Sequence, residues 1–101
     1  MENFREIREM IGYSGEGILS KDILKNNKLN VSLFCMAKGT EISEHTSTKR
    51  GFVYVIEGKG IFNLEGENIE MKPSVLIFME ENAIHSLKAD ENTSFLLFLY
   101  N

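Results

Sequence analysis

Residues 45–58 read HTSTKRGFVYVIEG. The first half is polar and opens on a histidine. The second half, Phe52-Val53-Tyr54-Val55-Ile56, is β-branched and aromatic and stops at Glu57-Gly58. Such side chains suit a pleated, half-buried surface, and glycine after an acid marks a turn, so the run predicts a strand over 52–56. Side chains alternate faces along a strand. Gly51, Val53 and Val55 are then expected on the inner face, with Phe52, Tyr54 and Ile56 on the other. Glu57 is expected to face solvent, and Gly58 and Gly60 to tolerate positive φ in the turn.

The same two-residue period runs outward in both directions. Ile18–Leu24, Leu29–Ala37, Glu41–Thr46, Ile61–Leu64, Asn68–Met71, Val75–Met79, Ala83–Ala89 and Phe95–Tyr100 each read as a short strand. Lys25–Lys28, Lys38–Thr40, Gly58–Gly60, Glu65–Glu67 and Glu80–Asn82 supply the turns. Pro73, the only proline, sets a strand start at a sheet edge. Before Gly17 the pattern differs: Phe4, Ile7, Met10 and Ile11 recur among charges, which predicts a short amphipathic helix, or a turn plus an edge strand. Eight or nine short antiparallel strands with turn chemistry between them predict an all-β sandwich or barrel.

The 101 residues suit one domain, residues 1–101, with a modest core. Hydrophobic residues make up 43% and charged residues 26%, a globular mix. Net charge is −4 and no basic stripe is present, which argues against nucleic acid as a partner. No apolar run reaches the ~20 residues of a membrane span, and MENFREIREM lacks the apolar stretch of a secretory signal. The cytoplasm is the expected compartment. The single cysteine, Cys35, sits in VSLFCMA and reads as a small buried hydrophobe. FLLFLY (95–100) and VSLFCMA are apolar on both faces. A lone antiparallel sheet leaves one face polar, so the surplus predicts a homodimer through an isologous contact.

Two stretches give the pattern a family. From about 39 to 58 run Gly39-Thr40-Glu41-Ile42-Ser43-Glu44-His45 and, after a gap, Tyr54-Val55-Ile56-Glu57-Gly58. From about 73 to 89 run Pro73, the apolar strand Val75–Met79 and Ala83-Ile84-His85-Ser86-Leu87. Together they resemble the two motifs of the cupins, small jelly-roll β-barrels, and the likeness covers Leu29 to Tyr100. It implies a cupin-type jelly-roll barrel with a short N-terminal helix or edge strand. The family's metal site takes two histidines two residues apart, a glutamate and a later histidine. Carried over position by position, these fall on His45, Ser47, Gly51 and His85, so two of the four ligands remain.

From the residues themselves, His45 shares a face with Ser43 and Glu41, and His85 with Leu87 and Ala89. An interior of Val, Leu, Ala and Gly carrying two histidines, and Ser47 with them, is the usual build of a small-molecule site. Met36 or Met79 could flank it. Two imidazoles alone fall short of the three protein ligands of a catalytic zinc or of the two histidines and one carboxylate of non-haem iron. A third donor would have to be Ser47, Glu41 or Glu44. Three functions follow. The first is a small-molecule-binding protein with His45, His85 and Ser47 as polar anchors. The second is a metal-dependent enzyme of dioxygenase, isomerase or lyase type, with His45 and His85 on a divalent Fe, Ni, Zn or Mn ion. The third is a dimeric structural or regulatory unit with a vestigial pocket.

Overall fold

A computed structural model of the chain describes residues 3–101. Its described residues form one four-residue helix and nine strands: α1 (Ile7–Met10), β1 (Ile18–Lys25), β2 (Leu29–Met36), β3 (Glu41–His45), β4 (Arg50–Glu57), β5 (Gly60–Leu64), β6 (Glu67–Met71), β7 (Leu76–Met79), β8 (His85–Ala89) and β9 (Thr93–Tyr100). Every strand sits within a residue or two of where the alternation placed it. Two antiparallel sheets face each other, one ordered β1-β2-β9-β4-β7 and the other β3-β8-β5-β6. This is the all-β jelly-roll architecture expected. No helix among the described residues is long and apolar enough to cross a membrane.

The turns follow from their residues. β5 and β6 are joined by Glu65-Gly66, with φ of +49° and +87°. Positive φ at both central residues is the primed hairpin turn, whose twist matches that of the flanking strands. At Gly58 φ is +108°, and an added Cβ would lie 2.4 Å from the Asn92 carbonyl oxygen. Only glycine fits there. Gly60 differs from expectation: its φ is not positive, and what excludes a side chain is the Lys88 carbonyl, 2.4 Å from where a Cβ would stand.

The core lies between the sheets. Met36, Val53, Val55, Ile77, Met79 and Phe95 from the larger sheet meet Phe62, Met71, Leu87 and Ala89 from the smaller, all buried. Burial of such side chains contributes about 1.5–3 kcal/mol each, which makes this layer the main support of the fold.

A second, smaller cluster explains part of the surplus apolar surface. Leu33, Cys35 and Ile56 point away from the core, yet all are buried, because Ile7, Met10, Ile11, Tyr13, Ile23 and Leu96 cover them. The N-terminal segment is therefore a strap across the outer face of the larger sheet. It is fastened by the Tyr13 hydroxyl, which donates to Glu57 Oε2 at 2.8 Å, and by Lys21 Nζ, which donates to the Met10 carbonyl at 2.6 Å. One expectation gains a detail and one changes. Ile56 does lie on the face opposite Val53 and Val55, but it is covered. Glu57 is half-buried and partnered rather than free in solvent.

The strap stops short of the other half of that face. There Phe52 stacks on Phe98 with ring centroids 4.5 Å apart, and Phe78 and Tyr100 gather round it at 6.3 and 6.0 Å. Phe78 is 69% exposed and Leu76 45%.

Candidate functional site

His85 opens β8, and its side chain points between the sheets with Leu87 and Ala89, as the alternation requires. His45 ends β3 and reaches the same place by a different route. Ile42 pairs with Leu87, and His45 with His85, so three steps on β3 match two on β8. The extra residue is a β-bulge, a device that re-aims a side chain. It moves His45 off the face of Ser43 and Glu41, where strict alternation put it, and onto the face of Ile42. Sequence alone shows no bulge here; only the partner strand reveals it.

The two rings meet with centroids 4.0 Å apart and planes tilted by 59°. Both line one cavity of about 110 Å³, closed otherwise by Phe34, Ile42, Val53, Phe62, Met79, Leu87, Phe95 and Leu97. His85 is 6% exposed and lies deep, while His45 is exposed at the mouth. The walls are more aromatic than the sequence suggested. Phe34 stacks flat on Phe95, 5.2 Å between centroids, and the Phe62 ring lies parallel to His85 at 5.7 Å. Met79 does flank the pocket; Met36 lies in the core but not on this wall.

Each imidazole is held through the same nitrogen. His45 Nδ1 is 2.8 Å from the Ser43 carbonyl oxygen, and His85 Nδ1 is 3.0 Å from that of Ala83. A carbonyl only accepts, so Nδ1 carries the hydrogen in both rings. Burial lowers the pKa of His85 from its ordinary value near 6.5; the Ala83 contact works against this, and the charge of a protonated His45 adds to it.

Ser47 is not among the residues lining this cavity. Its hydroxyl accepts from the Lys49 backbone N–H at 3.2 Å, and its carbonyl accepts from the Asn82 N–H at 2.7 Å. It closes the loop after β3 rather than joining the two rings.

Residues 32–100 match the family model described as a cupin domain. The chain belongs to the cupin family. This cupin is similar in fold to a conserved protein of unknown function from Streptococcus pyogenes, with 21% identity and a TM-score of 0.89 over 100% of this chain and 89% of that one. It is equally similar to a cupin superfamily protein from Desulfitobacterium hafniense, with 17% identity and a TM-score of 0.89 over 99% and 92% of the two chains. An RmlC-like cupin from Shewanella frigidimarina gives 19% identity and a TM-score of 0.84 over 99% and 91%. No curated protein matches the chain by sequence.

The family's metal donor set can be tested against this cupin. Of the four positions, Ser47 is turned to local hydrogen bonds and Gly51 has no side chain. Gly51 pairs with Met79 across β4 and β7, and a Cβ added to it would stand 2.6 Å from the Phe98 carbonyl oxygen and 2.8 Å from Leu99 Cδ2. The room a glutamate needs is taken by the β9 backbone. Among the described residues no cluster of three His, Cys, Asp or Glu side chains exists that could hold a metal ion. Glu41 and Glu44 do not complete one. The donor set does not fit a three-ligand divalent site of the kind that iron and zinc enzymes use.

Proposed function

We propose that this cupin binds a small molecule in the cavity between its sheets, with His45 and His85 as polar anchors. The carrying observation is the pair of imidazoles, 4.0 Å apart, lining an otherwise apolar cavity. Apolar walls with a few convergent polar groups are the common build of a ligand site. The short donor set favours binding over metal-dependent dioxygenase, isomerase or lyase chemistry. A ligand-observed NMR screen of a fragment library tests this reading. Hits lost in the His45→Ala/His85→Ala double variant, with its melting curve intact, are the expected result. No hits, or hits indifferent to both histidines, would overturn it. Stoichiometric Fe, Ni, Zn or Mn in protein purified without a metal-affinity tag would move the assignment to the metal-dependent reading.

A second observation supports a homodimer. The patch of Phe52, Leu76, Phe78, Phe98 and Tyr100 lies outside the residues the strap covers, and Tyr54 stands at the strap's edge, sharing a groove with Ile7. At ~150–250 Å² per aromatic side chain it offers roughly 400 Å² of apolar surface per copy. Two such patches with a polar rim approach the ~1,000 Å² of a specific interface. A second copy is the partner we propose, related by a two-fold axis that lays the patch on itself. The contact is then a weak one, seen by light scattering at high concentration and lost in Phe78→Lys.

A further inference from the structure

The chemistry of the two rings narrows what the cavity can hold. Both Nδ1 atoms are engaged with backbone carbonyls, at 2.8 and 3.0 Å. Each neutral ring therefore turns a bare Nε2 lone pair to its surroundings. The other wall residues are Phe, Ile, Val, Met and Leu, and no Lys, Arg, Asn or Gln lines the cavity. An anionic guest would meet two acceptors, no donor and no cation, and its desolvation would go uncompensated. A guest with a hydroxyl or amine hydrogen would find a partner at once.

Size and wall shape add a second restriction. About 110 Å³ is less than the ~150 Å³ of an apolar cavity that admits benzene, so at most a single ring fits, with part of it in the open mouth beside His45. The Phe34–Phe95 stack and the parallel Phe62 and His85 rings make the walls flat. Flat aromatic walls favour offset stacking with a planar guest.

Resting on the binding reading above, we propose that the ligand class is a compact, neutral, planar hydrogen-bond donor: a single-ring phenol or aromatic amine whose O–H or N–H donates to Nε2 of the histidine pair.

Three single-ring probes decide it: phenol, toluene and benzoate, titrated at pH 7.5 with the His85 ring carbons and the Met79 methyl followed by 13C NMR. Phenol is expected to bind five- to tenfold tighter than toluene, the worth of one hydrogen bond, and benzoate more weakly than either. In His85→Ala, phenol's advantage over toluene should vanish while toluene still binds. Benzoate binding tighter than phenol would overturn the class, since the histidines would then be acting as donors. So would equal affinities for phenol and toluene. If none of the three binds while the fragment screen still gives histidine-dependent hits, the class fails and the binding site stands. If the screen is empty too, both fail.

Discussion

Gly51→Ala sets two physical effects against each other. Gly51 is the second residue of β4 and is not among the residues with positive φ, so an alanine there suits the backbone. On conformational entropy alone it should stabilise the protein by ~0.4–1 kcal/mol. Packing says the reverse. The new Cβ would stand 2.6 Å from the Phe98 carbonyl oxygen and 2.8 Å from Leu99 Cδ2. Leu99 can rotate, but Phe98 is held in the β4–β9 ladder, where Phe52 pairs with Phe98 and Gly51 with Leu99. Relief requires the two central strands to part, and overpacking of this kind costs ~1–3 kcal/mol. Taking the upper half of that range, because backbone must move, the net loss is ~1–2.5 kcal/mol. For a chain of this size each kcal/mol is worth ~4–8 °C in Tm, so the midpoint should fall by roughly 5–15 °C. Urea titration followed by far-UV circular dichroism, with the slope m checked for constancy, measures the same quantity. An alanine variant as stable as the parent, or more so, would refute the claim that packing holds this position to glycine. It would also reopen the space in which a glutamate ligand could be restored.

The folded-state pKa of His85 is depressed below the unfolded value near 6.5, so its contribution to stability is complete above pH 6.5 and is lost as pH falls from there through the folded value. Stability should decline on acidification over that window, and a His85→Leu variant should show a flatter profile; identical slopes would contradict the burial argument. Tyr13 is raised to about 12, by burial first and by Glu57 as well. Its contribution is present below pH 10 and disappears as pH rises through 12, so Tyr13→Phe should flatten the alkaline limb of the stability curve. At neutral pH the same variant should cost ~0.5–1.5 kcal/mol, the value of the Tyr13–Glu57 hydrogen bond, read by urea titration. Ser74 has φ of +77°, which disfavours a side chain. Ser74→Gly should raise Tm by a few degrees in calorimetry, and a fall would mean that the serine makes a compensating contact.

The alternation of Phe52–Ile56 and of its companions was enough to read eight or nine strands, because a period of two is a local property of each segment. Glu65-Gly66 and Gly58 were legible for the same reason: the turn depends on the residues within it. What escaped depended on partners distant in sequence. Cys35 was legible as a buried residue, but what buries it and Ile56 on the outer face is the strap of Ile7, Met10 and Tyr13, which alternation does not show. Glu57 looked solvent-facing because Tyr13 is 44 residues away in sequence. The two histidines could be paired through the family likeness, but the aromatic walls of Phe34, Phe62 and Phe95 come from three strands of both sheets and leave no linear mark. Ser47 was read by position alone, and its hydroxyl is already engaged by Lys49.

The extra residue in β3 also decides which side chain reaches the rim. In a regular ladder starting from the Ile42–Leu87 pair, the residue opposite His85 would be Glu44, not His45. Neighbouring positions on this strand thus hold a carboxylate and an imidazole for a single seat. Straightening the bulge would seat an acid in place of a base at the rim with every residue of the strand unchanged, so the backbone pairing of β3, as much as its side chains, sets the chemistry of the pocket mouth.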